Sequence, residues 1–179
     1  MAKTYRVDVV SDTHGSLSSS LLDALEGADL IVHAGDFTSV SDYRHLCQIA
    51  RVEACLGNND WNMDYGPDVT AKRQFLYQGL RWQVCHYEER LDLVVTDIAI
   101  CGHTHRPFVR HDLGERVLVM NPGSPTFPRS QAGATIGRIM VEEPERPGGK
   151  GNIVSAKIIQ LEPDNERLSP WERWLFKRR

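Results

Sequence analysis

Seven side chains of the types that bind hard or borderline metal ions fall at the ends of short apolar runs: Asp12 and His14, Asp36, Asn58, His86, and His103 with His105. Asn59 and Asp60 follow Asn58 directly. Carboxylate, imidazole and amide oxygen together suit Mn²⁺, Fe or Zn²⁺, and the lack of thiolates in these turns argues against a Cys-type structural zinc site. Alternate residues of an extended segment project to one side, so Asp12/His14 and His103/His105 are each expected to aim two groups at one place. A lone histidine carries little weight, since most are core or surface residues. A whole set at strand-end turns is different, because polar groups buried together at one sheet edge each need a partner.

The elements that must hold these residues begin with Tyr5–Val10, a β-branched strand entering the turn Ser11–Gly15. Ser18–Glu26 reads as a helix with Leu17, Leu21, Leu22 and Leu25 on one face and Gly27 at its end. Leu30–Ala34 is a strand broken by Gly35-Asp36, Ser41–Ala50 a helix, and Val52–Leu56 a strand stopping at Gly57-Asn58. Strand and helix alternate as in parallel βαβ units, whose ligands bind beyond the carboxyl ends of the strands. From Gln74 onward the pattern becomes strand-rich: 75–77, 81–85, 98–101, 116–120, 135–141 and 153–161 are short strands between Gly and Pro turns. Two packed sheets with helices outside are expected, with residues 142–152 as a flexible hairpin loop.

With 179 residues the chain suits one domain with a real core, and 41% hydrophobic and 25% charged residues exclude a disordered chain, a collagen-like repeat and a coiled coil. Twenty-one basic against 24 acidic residues give a formal charge of −3, so no bulk positive field recruits nucleic acid or a membrane. The apolar runs are too short to span a bilayer, residues 1–4 lead into a strand with no signal-peptide core, and the four cysteines form no CxxC pair. A reduced, cytoplasmic setting is the expectation.

Asp12-Thr13-His14, Gly35-Asp36, Gly57-Asn58-x-Asp60, His86 and Gly102-His103-Thr104-His105, in that order, resemble the motifs of calcineurin-like metallophosphoesterases. Asn121-Pro122-Gly123-Ser124, with Pro128-Arg129 after it, narrows the resemblance to the small YfcE-type phosphodiesterases, and it covers about residues 5 to 160. It implies an α/β fold of four layers, a two-sheet β-sandwich flanked by helices. It implies a domain over residues 1–165 and leaves 166–179 as a tail. It also implies two divalent cations, Mn²⁺ first, with Fe, Co, Ni or Zn as alternatives. Asp12, His14 and His105 would hold one; Asn58, His86 and His103 would complete the other; Asp36 would bridge both. A hydroxide shared by the cations would attack phosphorus, so no protein nucleophile is needed. Asp36, Asn58 and Asp60 are then the catalytic group, Asp60 orienting a neighbouring ligand, while Asn59, Tyr87 and Arg129 are candidates for substrate contact.

Two departures bear on the chemistry. Many phosphatases of the superfamily carry a His at the position of Asn59, where it protonates the leaving oxygen. Its replacement favours a diester with a good leaving group over an alkyl monoester. Relatives also read His-Gly-His where this chain has His86-Tyr87-Glu88, and only sixteen residues separate His86 from His103, a short stretch for a turn, helix and strand. Tyr87 can crowd the metals or stack on a base or aryl group; Glu88 and Glu89 would repel an extra phosphate if they face the site, and otherwise read as solvated helix-start residues.

The expected function is hydrolysis of a small phosphodiester, with no long nucleic acid and no membrane as partner. The alternatives are a phosphomonoesterase and a scaffold, since a eukaryotic retromer subunit resembles this fold and works mainly as an interaction surface. His33 is expected to be structural and Cys85 and Cys101 to be core residues. Trp61, Met63 and Tyr65 are open between a substrate-facing wall and plain loop packing. The segment from Pro170 to Arg179, with Trp171, Trp174 and Leu175 on one helical face, has docking on its own domain as the default role, with a homodimer contact or an acidic partner as alternatives.

Overall fold

The computed structural model describes residues 2–162. The domain boundary at 165 and the tail, including the helix proposed for it, lie outside the described residues. The chain runs through β1 (Thr4–Val10), α1 (Ser19–Leu25), β2 (Leu30–His33), α2 (Val40–Ile49), β3 (Arg51–Ala54), β4 (Lys72–Tyr77) and β5 (Leu80–Cys85). It continues through β6 (Ile98–Ile100), β7 (Phe108–Asp112), β8 (Val117–Asn121), β9 (Thr135–Glu142) and β10 (Asn152–Gln160). Two five-stranded sheets result, ordered β10-β9-β1-β2-β3 and β4-β5-β6-β8-β7.

Each sheet carries three neighbouring parallel strands at its heart: β1, β2 and β3 in the first, and β5, β6 and β8 in the second. The flanking strands pair antiparallel. Alternation decides which side chains meet between the sheets. Val7, Val9, Leu30 and Val32 from one face pack against Trp82, Val84, Ile98, Ile100, Leu118 and Met120 from the other, all fully or almost fully buried. Each such side chain is worth about 1.5–3 kcal/mol relative to exposure.

Both α-helices cover the outer face of the first sheet, where Leu21, Leu25 and Leu46 pack on Val10, Ile31, Ala54 and Ile136. Ser18 caps α1 by accepting from the Leu21 N–H, and Ser39 caps α2 by accepting from the Asp42 N–H, which moves that helix start to Val40. The second sheet has no α-helix over it among the described residues. Once β6 takes its share, the sixteen residues after His86 hold only two 3₁₀ turns, Glu88–Arg90 and Leu93–Val95, and Leu91 and Leu93 cover Ala99, Val117 and Val119. The outer layer on that side is thinner than a helix-flanked sandwich implies. Strand β7, absent from the sequence reading, is a half-buried edge strand, and Pro107 with the polar run Arg110-His111-Asp112 hides its alternation.

Cys55, Cys85 and Cys101 are buried, whereas Cys47 on α2 is exposed. The β9–β10 connection is pinned to the second sheet, its Gly151 N–H donating to the Gln78 carbonyl at 2.9 Å. Lys150 Nζ lies 2.8 Å from Asp97 Oδ1, and Arg81 grips the same carboxylate through Nε at 3.1 Å and a second guanidinium nitrogen at 2.9 Å. Burial alone would raise the Asp97 carboxyl, but the two cations outweigh it and hold it well below the usual carboxylate range. Because the folded value is depressed, the stabilisation is fully present above about pH 4 and is lost as the pH falls further. Asp97→Asn should therefore cost about 1–2 kcal/mol at pH 7 in urea unfolding, a figure limited by the solvent exposure of both cations. The gap between variant and wild type should close below pH 4.

Candidate metal centre

All six parallel strands deliver their carboxyl ends to one edge of the sandwich, and each is followed by a turn that carries chemistry. Asp12 and His14 follow β1, Asp36 follows β2, Asn58 follows β3, His86 follows β5, His103 and His105 follow β6, and β8 runs into Asn121–Ser124. The backbone there is not extended. Asp12, His14, Asp36, His103 and His105 have φ of 56°, 47°, 60°, 66° and 57°. Left-handed backbone in non-glycine residues costs of order 1–3 kcal/mol per site and persists only where the surroundings impose it.

Ties between turns impose it here. The N–H groups of Asp12, His14 and Gly15 donate to the carbonyls of Gly35, Asp36 and Phe37 at 3.0, 3.0 and 2.7 Å, zipping the first two turns together. Ser124 Oγ donates to the Asp12 carbonyl at 2.8 Å, the His103 N–H to Asp12 Oδ2 at 3.1 Å, and the Asn121 amide to the Gly102 carbonyl at 2.7 Å. A Cβ on Gly57 would fall 2.0 Å from Asp36 Oδ1, and one on Gly102 would fall 1.9 Å from Ser11 Oγ. Only glycine lets these turns approach so closely.

The result is two clusters in contact. In the first, His105 Nε2 stands 3.3 Å from His14 Nε2 and 3.2 Å from Asp12 Oδ1. In the second, Asn58 Oδ1 stands 3.0 Å from both His86 Nε2 and His103 Nδ1, with Asp36 Oδ2 3.5 Å from His86 Nε2. The alternation expected of Asp12/His14 and His103/His105 is replaced by left-handed turns. As a consequence His103 and His105 part company, one going to each cluster. Asp36 Oδ2 is also 3.9 Å from His14 Nε2, and ligand atoms of Asp12 lie within 4.8 Å of both the His14–His105 pair and the Asp36–His86 pair. Both carboxylates therefore stand between the clusters.

The donor set fits divalent cations on the structure's own terms. Asp12 Oδ1 is buried and has no hydrogen-bond partner among the described residues. His105 Nδ1 donates to the Phe127 carbonyl at 2.6 Å and His86 Nδ1 to the Ala34 carbonyl at 2.7 Å, which in the neutral rings leaves each Nε2 as a lone pair facing the cluster. Burial lowers the pKa of both His14 and His105, keeping them neutral at physiological pH. Lone pairs facing lone pairs at 3.0–3.5 Å repel unless positive charge lies among them.

Asp60 does not face the clusters. Its oxygens accept from the N–H groups of Asp36 (2.7 Å), Thr38 (2.8 Å) and Gly57 (2.8 Å) and from the Tyr65 hydroxyl (2.8 Å). Burial would raise this carboxyl, yet those donors hold it below its usual range. It is a positioning residue that clamps the Asp36 turn to the Asn58 turn. Tyr65 and Met63 belong to the core under that clamp, which ends the substrate-wall reading for them; Trp61 is exposed. Asn59, expected to touch substrate, donates its side-chain amide to Asp36 Oδ2 at 2.6 Å and its N–H to Oδ1 at 2.8 Å.

His33 faces away from the clusters, as expected, but ties two turns together. It accepts from the Gly35 N–H at 3.2 Å and its other nitrogen pairs with Thr13 Oγ1 at 3.2 Å, with Phe37 stacked on the ring at 3.4 Å. Burial pushes its pKa down to about 3, so it stays neutral. The Tyr87 ring packs 4.6 Å from His103 and 5.4 Å from His86, with the Arg90 guanidinium 4.6 Å over it. Arg129 lines an open cavity beside His14 and His105. Phe127 lines the same cavity, and no sequence pattern had singled it out.

Residues 6–144 match the family model described as the calcineurin-like phosphoesterase superfamily domain. A probable metallophosphoesterase of Methanothermobacter thermautotrophicus is 37% identical over 139 residues, covering 69% of this chain and 78% of its own. One of Methanocaldococcus jannaschii is 31% identical over 176 residues, covering 89% and 83%. Among solved structures, the phosphoesterase YfcE of E. coli aligns with a TM-score of 0.63 at 21% identity, over 88% of this chain and 100% of that one. Vacuolar protein sorting 29 of Cryptosporidium parvum aligns at 0.67 with 18% identity, over 88% and 98%. These two likenesses concern the fold.

The metal-free electrostatics give a pH dependence. Burial pushes the Asp12 carboxyl up to about 6, against the pull of the Ser11 hydroxyl. A proton then competes with a cation for Asp12 Oδ1 as the pH falls through that value. Mn²⁺ affinity measured by calorimetry should be constant from pH 8 to 7 and fall by about tenfold per unit below 6. An affinity unchanged at pH 5 would contradict a raised Asp12 carboxyl among the ligands.

Proposed function

The chain belongs to the calcineurin-like phosphoesterase superfamily, and from that premise we propose that it is a phosphodiesterase working with two divalent cations, Mn²⁺ first among them. The observation that carries the reading is the pair of contacting acceptor clusters, with Asp12 and Asp36 between them at the carboxyl edge of both sheets. When bound there, such cations supply charge neutralisation for phosphate oxygens and acidify water. Asp12, His14 and His105 would hold one, Asn58, His86 and His103 the other, and Asp36 would be shared.

The chain's own residues decide the rest. His105 and His86 are locked as acceptors by the Phe127 and Ala34 carbonyls, so their lone pairs are committed before any ligand arrives. The Asn59 amide and N–H steady both oxygens of Asp36. Asp60, with its oxygens taken by backbone and Tyr65 donors, is not free to deliver a proton. With Asn at position 59 as well, neither residue offers a proton to a leaving oxygen, and this favours diesters whose leaving group departs unassisted. Scaffolding is the second reading, which the fold likeness to vacuolar protein sorting 29 allows.

The test is turnover of metal-stripped protein with Mn²⁺ added back, comparing an aryl phosphodiester with an aryl phosphomonoester. Mn²⁺-dependent hydrolysis favouring the diester is expected, and Asp36→Asn should lower kcat/KM by at least about 100-fold while the circular dichroism spectrum stays unchanged. Monoester preference would contradict the diester assignment. Silence with every divalent metal would leave scaffolding, and a fully active Asp36→Asn protein would remove Asp36 from the centre.

A further inference from the structure

The segment from Asn121 to Arg129 is tied down along its length. Asn121 Oδ1 accepts from the Gly123 N–H at 2.9 Å, and Ser124 Oγ accepts from the Phe127 N–H at 2.9 Å while donating to the Asp12 carbonyl. Thr126 Oγ1 donates to the Thr13 carbonyl at 3.1 Å, the Phe127 carbonyl receives His105 Nδ1, and the Arg129 N–H donates to the His105 carbonyl at 3.1 Å. The backbone of this segment is part of the frame that holds Asp12 and His105.

On that fixed backbone the Phe127 side chain is turned outward, 55% exposed, with its ring 5.5 Å from His14 in an edge-to-face arrangement. A large apolar ring ordinarily gains about 1.5–3 kcal/mol by burial, and this one forgoes about half of it beside His14 and His105. It lines an open cavity of about 700 Å³ together with His14, His105, Thr126, Pro128 and Arg129, a volume within the usual range of ligand sites, about 300–1,000 Å³. Its wall thus joins a free aromatic ring to a guanidinium. An aromatic ring presented on a rigid segment loses little freedom when something stacks on it.

We propose that Phe127 and Arg129 form the specificity subsite of this centre, and that the subsite takes the base of a nucleoside phosphodiester. A planar heteroaromatic ring satisfies both groups at once, stacking on Phe127 and offering acceptor atoms or its π-face to the Arg129 guanidinium. An acyl chain would leave the guanidinium unpaired, and a glycerol substituent would leave Phe127 uncovered. The first cluster adjoins this cavity, so a phosphorus held at the clusters and a base on Phe127 fall at neighbouring positions of one ligand. This inference rests on the phosphodiesterase reading and adds the substrate class to it.

The experiment compares two diesters, the hexafluoroisopropyl esters of adenosine 5′-monophosphate and of glycerol phosphate, whose shared ring-free leaving group is acidic enough to depart unassisted, with Mn²⁺-loaded wild type, Phe127→Ala and Phe127→Trp. Binding of a phosphonate analogue of the adenosine diester is measured in parallel by calorimetry. Wild type should prefer the adenosine diester. Phe127→Ala should lower that preference, and weaken the analogue, by about 5- to 100-fold, the worth of one base stacked on one aromatic side chain. Phe127→Trp should restore both. Arg129→Ala should weaken the analogue further. A preference and an analogue affinity unmoved in Phe127→Ala, or a wild-type preference for the glycerol diester, overturns the subsite and leaves the phosphodiesterase reading intact. If neither diester is turned over by any loaded protein, the phosphodiesterase reading fails, and the analogue affinity alone then decides whether Phe127 binds a base.

Discussion

Hydrogen-bond acceptors aimed at one another are the constraint on which the rest of this structure depends. Among the described residues Asp12 Oδ1 is buried without a donor, and His86 Nε2 lies 3.0 Å from Asn58 Oδ1 and 3.5 Å from Asp36 Oδ2. No fold gathers such groups for its own stability, because burial without a counter-charge costs free energy. Much of the architecture at this edge serves to hold them against that repulsion. The Asp60 carboxylate clamps the Asp36 turn to the Asn58 turn, His33 ties the Asp36 turn to the Asp12 turn, and Asn121 and Ser124 fasten the turn after β8 to the turns of Gly102 and Asp12.

The two sheets make this arrangement affordable in mechanical terms. Six parallel strands, three from each sheet, end at one edge, and the core of Val, Ile, Leu and Trp82 side chains between them sets the spacing of the two halves. First-sheet turns supply Asp12, His14, Asp36 and Asn58, and second-sheet turns supply His86, His103 and His105. Each cluster therefore draws on both sheets, so the site is complete only when the sandwich is closed. The same geometry makes close packing of turns unavoidable, which is why Gly57 and Gly102 stand where any Cβ would collide with Asp36 or Ser11.

Much of this was legible in the chain itself. The βαβ beginning, the ligand-bearing turns and most strands follow from apolar runs broken by Gly and Asp, because periodicity reports burial directly. The distribution of ligands between clusters was not legible from spacing. Alternation would send His103 and His105 together, and only left-handed backbone, set by hydrogen bonds from distant turns, sends them apart. Asp60 read as a member of the catalytic group because sequence records a carboxylate and not its reach, across 24 and 22 residues, to the backbone of Asp36 and Thr38. Phe127 left no signal, since exposure of an aromatic ring is a property of the frame around it. Strand β7 was lost to its polar edge position, and the helix layer over the second sheet was lost to the short stretch after His86.

Two cations close enough to share ligands is the central claim, and electron paramagnetic resonance of the metal-stripped protein titrated with Mn²⁺ addresses it most directly. Two equivalents should bind per chain and give the spectrum of an exchange-coupled pair, as expected for ions about 3.5–4 Å apart. A spectrum of isolated Mn²⁺ at full loading, or saturation at one equivalent, would contradict the two-cluster centre.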